Sequence, residues 1–230
     1  FFFFSYTETV NDENAIKTIE YCEKLSVDFK EIFVIFSQGL KNISNLEEII
    51  NSSDFLKEHE FFLKEIKDSL KYQLSKEEEI AIAKIKNTGS KAWSKLQENL
   101  TATLNIQVKV EGEEKTLPLP AVRNLAYEAN PETRKNAYEA ELKAYERVDS
   151  SVASALNAIK GEALTESEMR GYISILEKTL IDSRIKKETL DAMLSAMVDS
   201  LPDFAKFLRK KAEVLGHSNG LPFYDLFAPV

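Results

Sequence analysis

The two histidines are the residues of this chain best suited to metal or acid–base chemistry. His59 is followed by Glu60, as in the zinc-binding pattern where two histidines one helical turn apart face a metal and the glutamate between them acts as base. Leu63 stands where the second histidine is needed. His217 lies in the loop Gly216 to Gly220, after a predicted helix. We expect a surface or partly buried helix position for His59 and a helix-ending or capping role for His217. The sequence predicts no catalytic and no metal-binding residue.

No other set of residues in the sequence has catalytic spacing. Cys22 lies on the apolar stripe of the first predicted helix, where a small buried residue is expected rather than a nucleophile. The acidic runs at 77–79 and 113–114 fall at a helix start and in a turn, where solvated charge is expected. Asp149 interrupts an apolar stripe, and Arg170 precedes Gly171 and Tyr172. Each is either a buried or cavity-facing polar group or a simply exposed one.

Composition narrows the class of protein and of partner. The chain has 230 residues, 43% hydrophobic and 30% charged, with a net charge of −8, as in ordinary globular proteins. Lys and Arg are interleaved with Asp and Glu, so no basic stripe for nucleic acid is present. No apolar run approaches the roughly 18 residues of a membrane span. The single cysteine excludes an internal disulfide and favours a cytoplasmic setting. An apolar start at Phe1–Phe4, no initiator Met and an abrupt end at Val230 lead us to interpret the chain as a fragment cut at both ends.

The segment from Asn130 to Gly161 is predicted to be one long central helix that organises the fold. Asn130 is suited to cap it, Pro131 suits its first position, and Gly161 is a natural stop. Arg134 is expected to face solvent with Lys135, Glu141 and Lys143. The residues on its apolar stripe are spaced by four and three: Tyr138, Leu142, Tyr145, Val152, Leu156 and Ile159.

Helical periodicity also predicts helices in the first hundred residues. The predicted segments are Asn11 to Gly39, Ser44 to Ile50, Asp54 to Gln73, and Lys76 to Leu100. Two begin with capping-box pairs, Ser44 with Glu47 and Ser75 with Glu78. Gly89 within the last one indicates a close approach by another helix.

The period changes to two after residue 103. Leu104, Ile106, Val108 and Val110 alternate with polar residues, which predicts a strand with one buried face, followed by a turn at 111–114 and a return strand to Leu119. Thr165 with Glu168 is a third capping-box pair. A later helix is expected to start near Lys186, and Pro202 either kinks it or breaks it into two. We expect the last fourteen residues, 217–230, here called the closing arm, to be extended and to expose apolar surface from Leu221 to Phe227.

The predicted fold is therefore mostly α: a multi-helical lobe with one β-hairpin at about residues 104–119 and a long central helix at about 130–161. A single lobe over 1–230 is expected, helical in 1–100, a hairpin in 101–119, and helical with an extended C-terminal arm in 120–230.

Several motifs resemble the N-terminal part of oligoendopeptidase F, a zinc metallopeptidase family that includes thimet oligopeptidase. The resemblance is strongest from Leu74 to Val230. The motifs are Pro120-Ala-Val-Arg-Asn-Leu-Ala126, Asn130-Pro-Glu-Thr-Arg134, Leu156-Asn-Ala-Ile-Lys-Gly161, Arg170-Gly-Tyr172, and the run from Leu215 to Val230.

The resemblance implies a cytoplasmic, zinc-dependent endopeptidase that admits short peptides to a channel between two helical lobes. Its zinc helix, His-Glu-x-x-His, does not occur in these 230 residues. No catalytic or metal role is therefore carried over, and the chain is expected to be the channel-forming N-terminal lobe, without zinc and inactive alone, with a C-terminal catalytic lobe as its partner. Arg170 and Tyr172 are candidate residues of the channel wall.

A self-contained helical module for protein–protein interaction is the rival hypothesis. Amphipathic helices serve both functions, so they do not separate the two. The coding sequence beyond Val230 does, because a His-Glu-x-x-His helix there decides for the peptidase.

Overall fold

The computed structural model describes residues 13–230, which form two compact units. Within the described residues, unit 1 comprises residues 13–94 and Ala158–Lys178, and unit 2 comprises Lys95–Asn157 and Thr179–Val230. The single lobe expected over 1–230 stays a prediction. The predicted apolar start Phe1–Phe4 and the predicted cap Asn11 lie outside the described residues.

The described chain is mostly helical with one antiparallel hairpin, which confirms the predicted fold class. The helices and strands, in chain order, are α1 (Glu13–Lys41), α2 (Leu46–Asn51), α3 (Asp54–Glu58), α4 (Glu60–Ser69), α5 (Lys76–Thr88), α6 (Ser90–Ala102), β1 (Asn105–Val110), β2 (Glu113–Pro118), α7 (Leu119–Asn124), α8 (Pro131–Tyr145), α9 (Asp149–Met169), α10 (Ile175–Asp182) and α11 (Lys187–Val214). Short 3₁₀ turns lie at Leu70–Tyr72, Leu125–Tyr127 and Phe223–Asp225. No described helix is long and apolar enough to span a membrane.

The central helix predicted as continuous is divided in two. The amide of Arg147 donates to the Ala144 carbonyl and that of Val148 to Tyr145, a tightened pattern that closes α8. Asp149 then begins α9, where its carboxylate accepts from the Ser150 amide and lies exposed. This explains why Asp149 interrupts the apolar stripe: an acid is favourable in the first turn of a helix. Gly161 does not stop α9, which continues to Met169.

The start of α8 follows the sequence prediction. The Asn130 side chain accepts hydrogen bonds from the amides of Glu132 at 2.9 Å and Thr133 at 3.3 Å, and Pro131 occupies the first helical position. These bonds satisfy two of the amides that a helix start leaves unpaired.

Replacing Asn130 by alanine is expected to lower the free energy of unfolding by about 1 kcal/mol, because the cap bonds are lost while the helix is otherwise unchanged. Urea unfolding followed by circular dichroism measures it. Asn124→Ala, near the end of α7, is the matched control. A loss for Asn130→Ala no larger than that of the control would contradict the capping role.

The hairpin contributes one face of strand β1 to the hydrophobic core of unit 2. Strand β1 pairs with β2 from Asn105 opposite Pro118 to Val110 opposite Glu113, and the two-residue loop has positive φ at Glu111 (54°) and Gly112 (89°). Such a loop matches the twist of the strands. The predicted buried face is confirmed for Leu104, Ile106 and Val108, which pack with Leu119, Val122, Ala137, Ala144 and Val148.

Unit 1 confirms one capping box and the role of Gly89. Ser75 and Glu78 cap each other at the start of α5. A Cβ on Gly89 would lie 2.5 Å from a carboxylate oxygen of Glu162 on α9. That carboxylate accepts from the Ser90 amide and hydroxyl at 2.8 and 2.6 Å, so it caps α6. The predicted helix Lys76 to Leu100 is accordingly two helices that meet at Gly89.

Several local predictions in unit 1 are wrong. Asn45, not Ser44, precedes α2, and the segment predicted from Asp54 to Gln73 is two short helices and a 3₁₀ turn. Thr165 and Glu168 lie inside α9, whereas Ser174 accepts from the Glu177 amide before α10. The helix after Ser44 and the helix after Thr165 each begin further along than the local capping pairs indicate, whereas the segment from Asp54 begins as predicted but is interrupted at His59.

Cys22 is exposed, which contradicts its predicted burial. On α1 the buried residues are Ala15, Val34, Ser37 and Leu40. At 1.5 Å per residue this 29-residue helix is about 44 Å long, against about 20 Å for the 13-residue α5 that packs on it. Tyr21, Leu25 and Phe29 on the same helix are exposed as well, so the other described residues leave the apolar stripe around Cys22 uncovered.

Candidate functional site

Arg170 in unit 1 is at the centre of a charged network rather than exposed. Its guanidinium donates to both oxygens of Glu79, at 2.5 and 3.1 Å, and to Glu166 at 2.9 Å. The same group donates to the Tyr72 carbonyl at 3.3 Å. Glu166 in turn pairs with Lys86 at 2.5 Å. The side chain of Arg170 is only 13% exposed and that of Glu79 is 2% exposed, so this is a buried ion pair.

The network keeps its carboxylates ionised. Burial raises the pKa of Glu79, but the hydrogen bonds and charge of Arg170 outweigh it, and the pKa lies below its ordinary value. Burial likewise opposes ionisation of Glu166, and hydrogen bonds from Lys86 and Arg170 lower its pKa overall. The carboxylates raise the pKa of Arg170 in spite of its burial. Glu79, Glu166 and Arg170 are therefore not suited to exchange protons near neutral pH.

Tyr172 stacks on Tyr72 beside this network. Their ring centroids are 3.9 Å apart, with an interplanar angle of 15°. Both rings, together with Arg170, Glu79 and Lys178, line a cavity of about 220 Å³. Gly171, with φ of 76°, ends α9 and turns the chain so that Tyr172 reaches this position. The structure thus brings Arg170 and Tyr172 to one cavity; their role as wall residues stays a prediction.

Unit 2 contains a second buried ion pair that sequence reasoning missed. Arg134, predicted to face solvent, is 3% exposed, and its guanidinium donates to Asp225 Oδ1 at 2.8 and 2.7 Å. It also donates to the carbonyls of Glu128 and Ala129. His217 lies 2.6 Å from the other Asp225 oxygen, and its Nε2 must donate because an ionised carboxylate only accepts. Asp225 therefore anchors the closing arm to α8.

His217 also ends α11 as predicted. Its amide donates to the Ala212 carbonyl at 2.9 Å, that of Gly216 donates to Glu213, and Gly216 has φ of 83°. This is the bond pattern of a Schellman helix end. The histidine ring is not alone, however, since it belongs to the cluster of Asp225 and Arg134.

An aromatic cleft lies between the segment 120–127, α8 and the closing arm. Its volume is about 620 Å³, and the residues of its apolar wall include Tyr127, Tyr138, Leu142, Tyr145, Phe223 and Phe227. Ring centroids are 5.2 Å apart for Tyr127 and Phe227 and 5.7 Å apart for Tyr138 and Phe223. The volume falls in the range of about 300–1,000 Å³ typical of ligand sites.

A polar pair completes the wall of the aromatic cleft. Arg123 Nε lies 2.9 Å from Glu141 Oε1, and the Tyr145 hydroxyl donates to the same oxygen. Burial and the bond to Glu141 raise the pKa of Tyr145 to about 12, so the phenol keeps its proton at neutral pH. Both Arg123 and Glu141 line the cleft.

The described residues do not fit a metal. No three His, Cys, Asp or Glu side chains among residues 13–230 lie where they could hold an ion together. His59 is exposed, and its Nδ1 lies 2.9 Å from the Phe55 carbonyl of its own segment. His217 is engaged by Asp225. We therefore derive no catalytic step through a metal in this chain.

Comparison with known proteins agrees with the motifs. A family model described as Oligopeptidase F matches residues 42–105. Oligopeptidase PepF of Bacillus subtilis is 24% identical over 188 residues, which are 80% of this chain and 28% of that protein. The crystal structure of oligoendopeptidase-F from Enterococcus faecium superposes with a TM-score of 0.86 at 18% identity, covering 99% of this chain and 46% of that one. The chain matches the N-terminal region of oligoendopeptidase F.

A second solved structure has the same fold at greater distance. A putative peptidase from Chlamydophila abortus superposes with a TM-score of 0.73 at 18% identity, over 97% of this chain and 38% of its own. The chain thus spans less than half the length of the oligoendopeptidase F relatives it matches. The relationship predicted from the motifs is confirmed, and the family match at residues 42–105 extends it into the first helices, where the motifs are weaker.

The Arg134 pair and one part of the aromatic cleft lie within the oligoendopeptidase F motifs but were not predicted as a site, whereas Tyr127 and the α8 residues Tyr138, Glu141 and Tyr145 lie outside the motifs. Arg123 and Arg134 occur in two of the motifs, and Tyr224-Asp225 in a third. One feature of the sequence indicates the buried ion pair: Asp225 is the single charged residue between Leu221 and Val230. An isolated charge in an apolar segment usually has a buried partner.

Proposed function

We propose that this chain forms the channel-walling N-terminal lobe of a zinc-dependent oligoendopeptidase that hydrolyses short peptides. The observation that carries the proposal is the fold likeness to oligoendopeptidase-F of Enterococcus faecium over 99% of this chain but only 46% of that one. The proposal gives this lobe a steric role, since walls that narrow a channel exclude folded proteins and admit peptides.

Catalysis belongs, in this proposal, to a zinc helix elsewhere in a longer protein. A catalytic zinc needs about three protein ligands and an open position for water. His59 and His217 each have another partner, and Leu63 replaces the second histidine of the motif. The C-terminal catalytic lobe is the proposed partner, the cytoplasm the proposed location, and neither nucleic acid nor membrane is a proposed partner.

Arg170 and Tyr172 are proposed to support the channel wall. The guanidinium of Arg170 is occupied by Glu79, Glu166 and the Tyr72 carbonyl, so its proposed part is to hold the wall in place rather than to bind the peptide. The stacked rings of Tyr72 and Tyr172 give the cavity beside it an apolar side.

The proposal is tested by comparing the 230-residue chain with the product of the complete reading frame. We expect the chain alone to retain substoichiometric zinc after dialysis and to leave a quenched fluorescent oligopeptide uncleaved. The complete product should bind zinc and cleave the same peptide in a chelator-sensitive manner. Zinc is measured by atomic absorption and cleavage by fluorescence.

His59→Ala in the complete product is the control, and its rate should stay within a few-fold of the parent because His59 is exposed and bonded to its own segment. Stoichiometric zinc with chelator-sensitive cleavage by the chain alone would overturn the assignment of catalysis to another lobe. A complete product without zinc or cleavage would favour the rival interaction module.

A further inference from the structure

The aromatic cleft of unit 2 has features that the proposed channel-wall role does not require. Two of its rings belong to the closing arm and are exposed, Phe223 to 67% and Phe227 to 49%. The arm itself is firmly attached, because Asp225, between the two rings, and Ala228, next to Phe227, are buried. Tyr127, opposite Phe227, is 62% exposed. The expected apolar exposure of the arm is thus found in these rings, at one cleft.

The anchor of the arm makes the cleft a fixed shape. Asp225 is bound by Arg134 and His217, and Lys211 donates to the Leu226 carbonyl at 3.0 Å. Opposite the arm, α8 carries Tyr138, Glu141 and Tyr145 on successive turns. Because the buried pair of Arg134 and Asp225 joins the arm to α8, a ligand would meet rings that are already placed, which lowers the entropic cost of binding.

The polar pair at the wall has unused hydrogen-bonding capacity. Within the described residues, Glu141 uses only Oε1, for Arg123 and Tyr145, and Arg123 uses only Nε. One carboxylate oxygen can therefore still accept, and the two terminal guanidinium nitrogens can still donate. A ligand of this wall should offer both a donor and an acceptor.

The charges of Arg123 and Glu141 restrict the chemical class of ligand further. An anionic ligand would approach Glu141, and a cationic one would approach Arg123. A purely apolar ligand would bury the second oxygen of Glu141 and the terminal nitrogens of Arg123 without partners, which is costly. A neutral peptide segment satisfies each condition, because its backbone carries one N–H donor and one C=O acceptor per residue.

We propose that the aromatic cleft binds an extended peptide segment and places an aromatic side chain of that peptide among Tyr127, Tyr138 and Phe227. The Arg123 guanidinium donates to a peptide carbonyl, and Glu141 accepts from a peptide amide. The choice of a peptide rests on the proposed function, which this inference deepens by naming the class of substrate: short peptides with an aromatic residue.

Binding to the chain is measured by saturation-transfer difference NMR and isothermal titration, without any need for hydrolysis. The probe is an acetylated and amidated pentapeptide with one central phenylalanine and four alanines, and the matched probe has alanine at the centre. We expect the phenylalanine peptide to bind at least about fivefold more tightly, because packing an aromatic ring against other rings contributes binding free energy of that order.

Variants of the cleft distinguish specific from general binding. Tyr127→Ala and Phe227→Ala should each weaken binding of the phenylalanine peptide roughly three- to tenfold. Glu141→Gln should weaken it about tenfold, since an acceptor of the peptide amide is lost. Phe204→Ala is the matched control, an exposed phenylalanine on α11 outside the cleft, and should leave affinity unchanged. Near-ultraviolet circular dichroism checks that each variant is folded.

Each contrary outcome overturns the inference. Absence of binding to a folded chain, equal binding of the two peptides, or unchanged affinity in the cleft variants would each exclude a peptide site. Concentration-dependent dimerisation abolished by Tyr127→Ala, without peptide binding, would assign the cleft to a second copy of the chain. Failure of the proposed function is seen separately, as a complete product that binds the peptide in the cleft but does not cleave it.

Discussion

Asp225→Ala is expected to destabilise the chain by about 3–5 kcal/mol, the cost of removing one partner of a buried ion pair. Arg134 would be left 3% exposed with only the carbonyls of Glu128 and Ala129 as acceptors. The closing arm would lose its anchor at the same time. Urea unfolding followed by circular dichroism measures the loss, and hydrogen exchange of the segment 217–230 reports release of the arm.

Two further variants separate charge from packing. Asp203→Ala removes a surface partner of Lys206, an exposed pair, and should cost no more than about 0.5 kcal/mol. The double variant Arg134→Met with Asp225→Leu removes both charges and should recover a large part of the stability that Asp225→Ala loses. If Asp225→Ala is no more destabilising than Asp203→Ala, the pair does not anchor the arm.

Glu79→Gln is expected to cost about 2–3 kcal/mol in unit 1, because Arg170 loses its two-oxygen partner but keeps Glu166. The pH dependence should change as well. The pKa of Glu79 is lowered in the folded state from 4.5, so its ion pair stabilises the fold above that pH and is lost as pH falls through the folded pKa. The parent should therefore lose stability on acidification below about pH 4.5 more steeply than the variant.

Unfolding free energies between neutral pH and acid pH test this expectation. Glu213→Gln is the control, since Glu213 forms an exposed surface pair with Lys210, and it should have little effect at either pH. A Glu79→Gln variant as stable as the parent at neutral pH, with the same slope on acidification, would show that the network contributes no net stability.

Local features of the sequence predicted several elements correctly because their causes lie within a few residues. Alternation at Leu104 to Val110 predicts the buried face of β1, since side chains in a strand point to opposite faces in turn. The Asn130-Pro131 start of α8 and the Ser75 capping box depend on side chains that reach backbone amides two or three positions away. Such contacts need only neighbouring residues once a helix begins there, which it does at Ser75 and Asn130 but not at Ser44 or Thr165.

Helix ends were less well predicted where a glycine allows the helix either to end or to continue. Gly161 is compatible with a helix end, yet α9 passes through it, because glycine costs only about 1 kcal/mol inside a helix and packing outweighs that amount. Gly89 does end a helix, and there the carboxylate of Glu162 caps the next one. The same residue type therefore ends one helix and not the other, depending on a residue distant in sequence.

The sequence by itself determined the helical class, the hairpin, the cap of α8 and the resemblance to oligoendopeptidase F. Only the tertiary structure decided which charges are buried. Arg134 and Asp225 are 91 residues apart, and so are Arg170 and Glu79. Helical periodicity places a charged residue in solvent by default, because burying an unpaired charge is costly, and it contains no information about a partner that the chain path brings to it. The aromatic cleft likewise depends on the path of the chain, because its walls are the segment 120–127, α8 and the closing arm that this ion pair joins to α8.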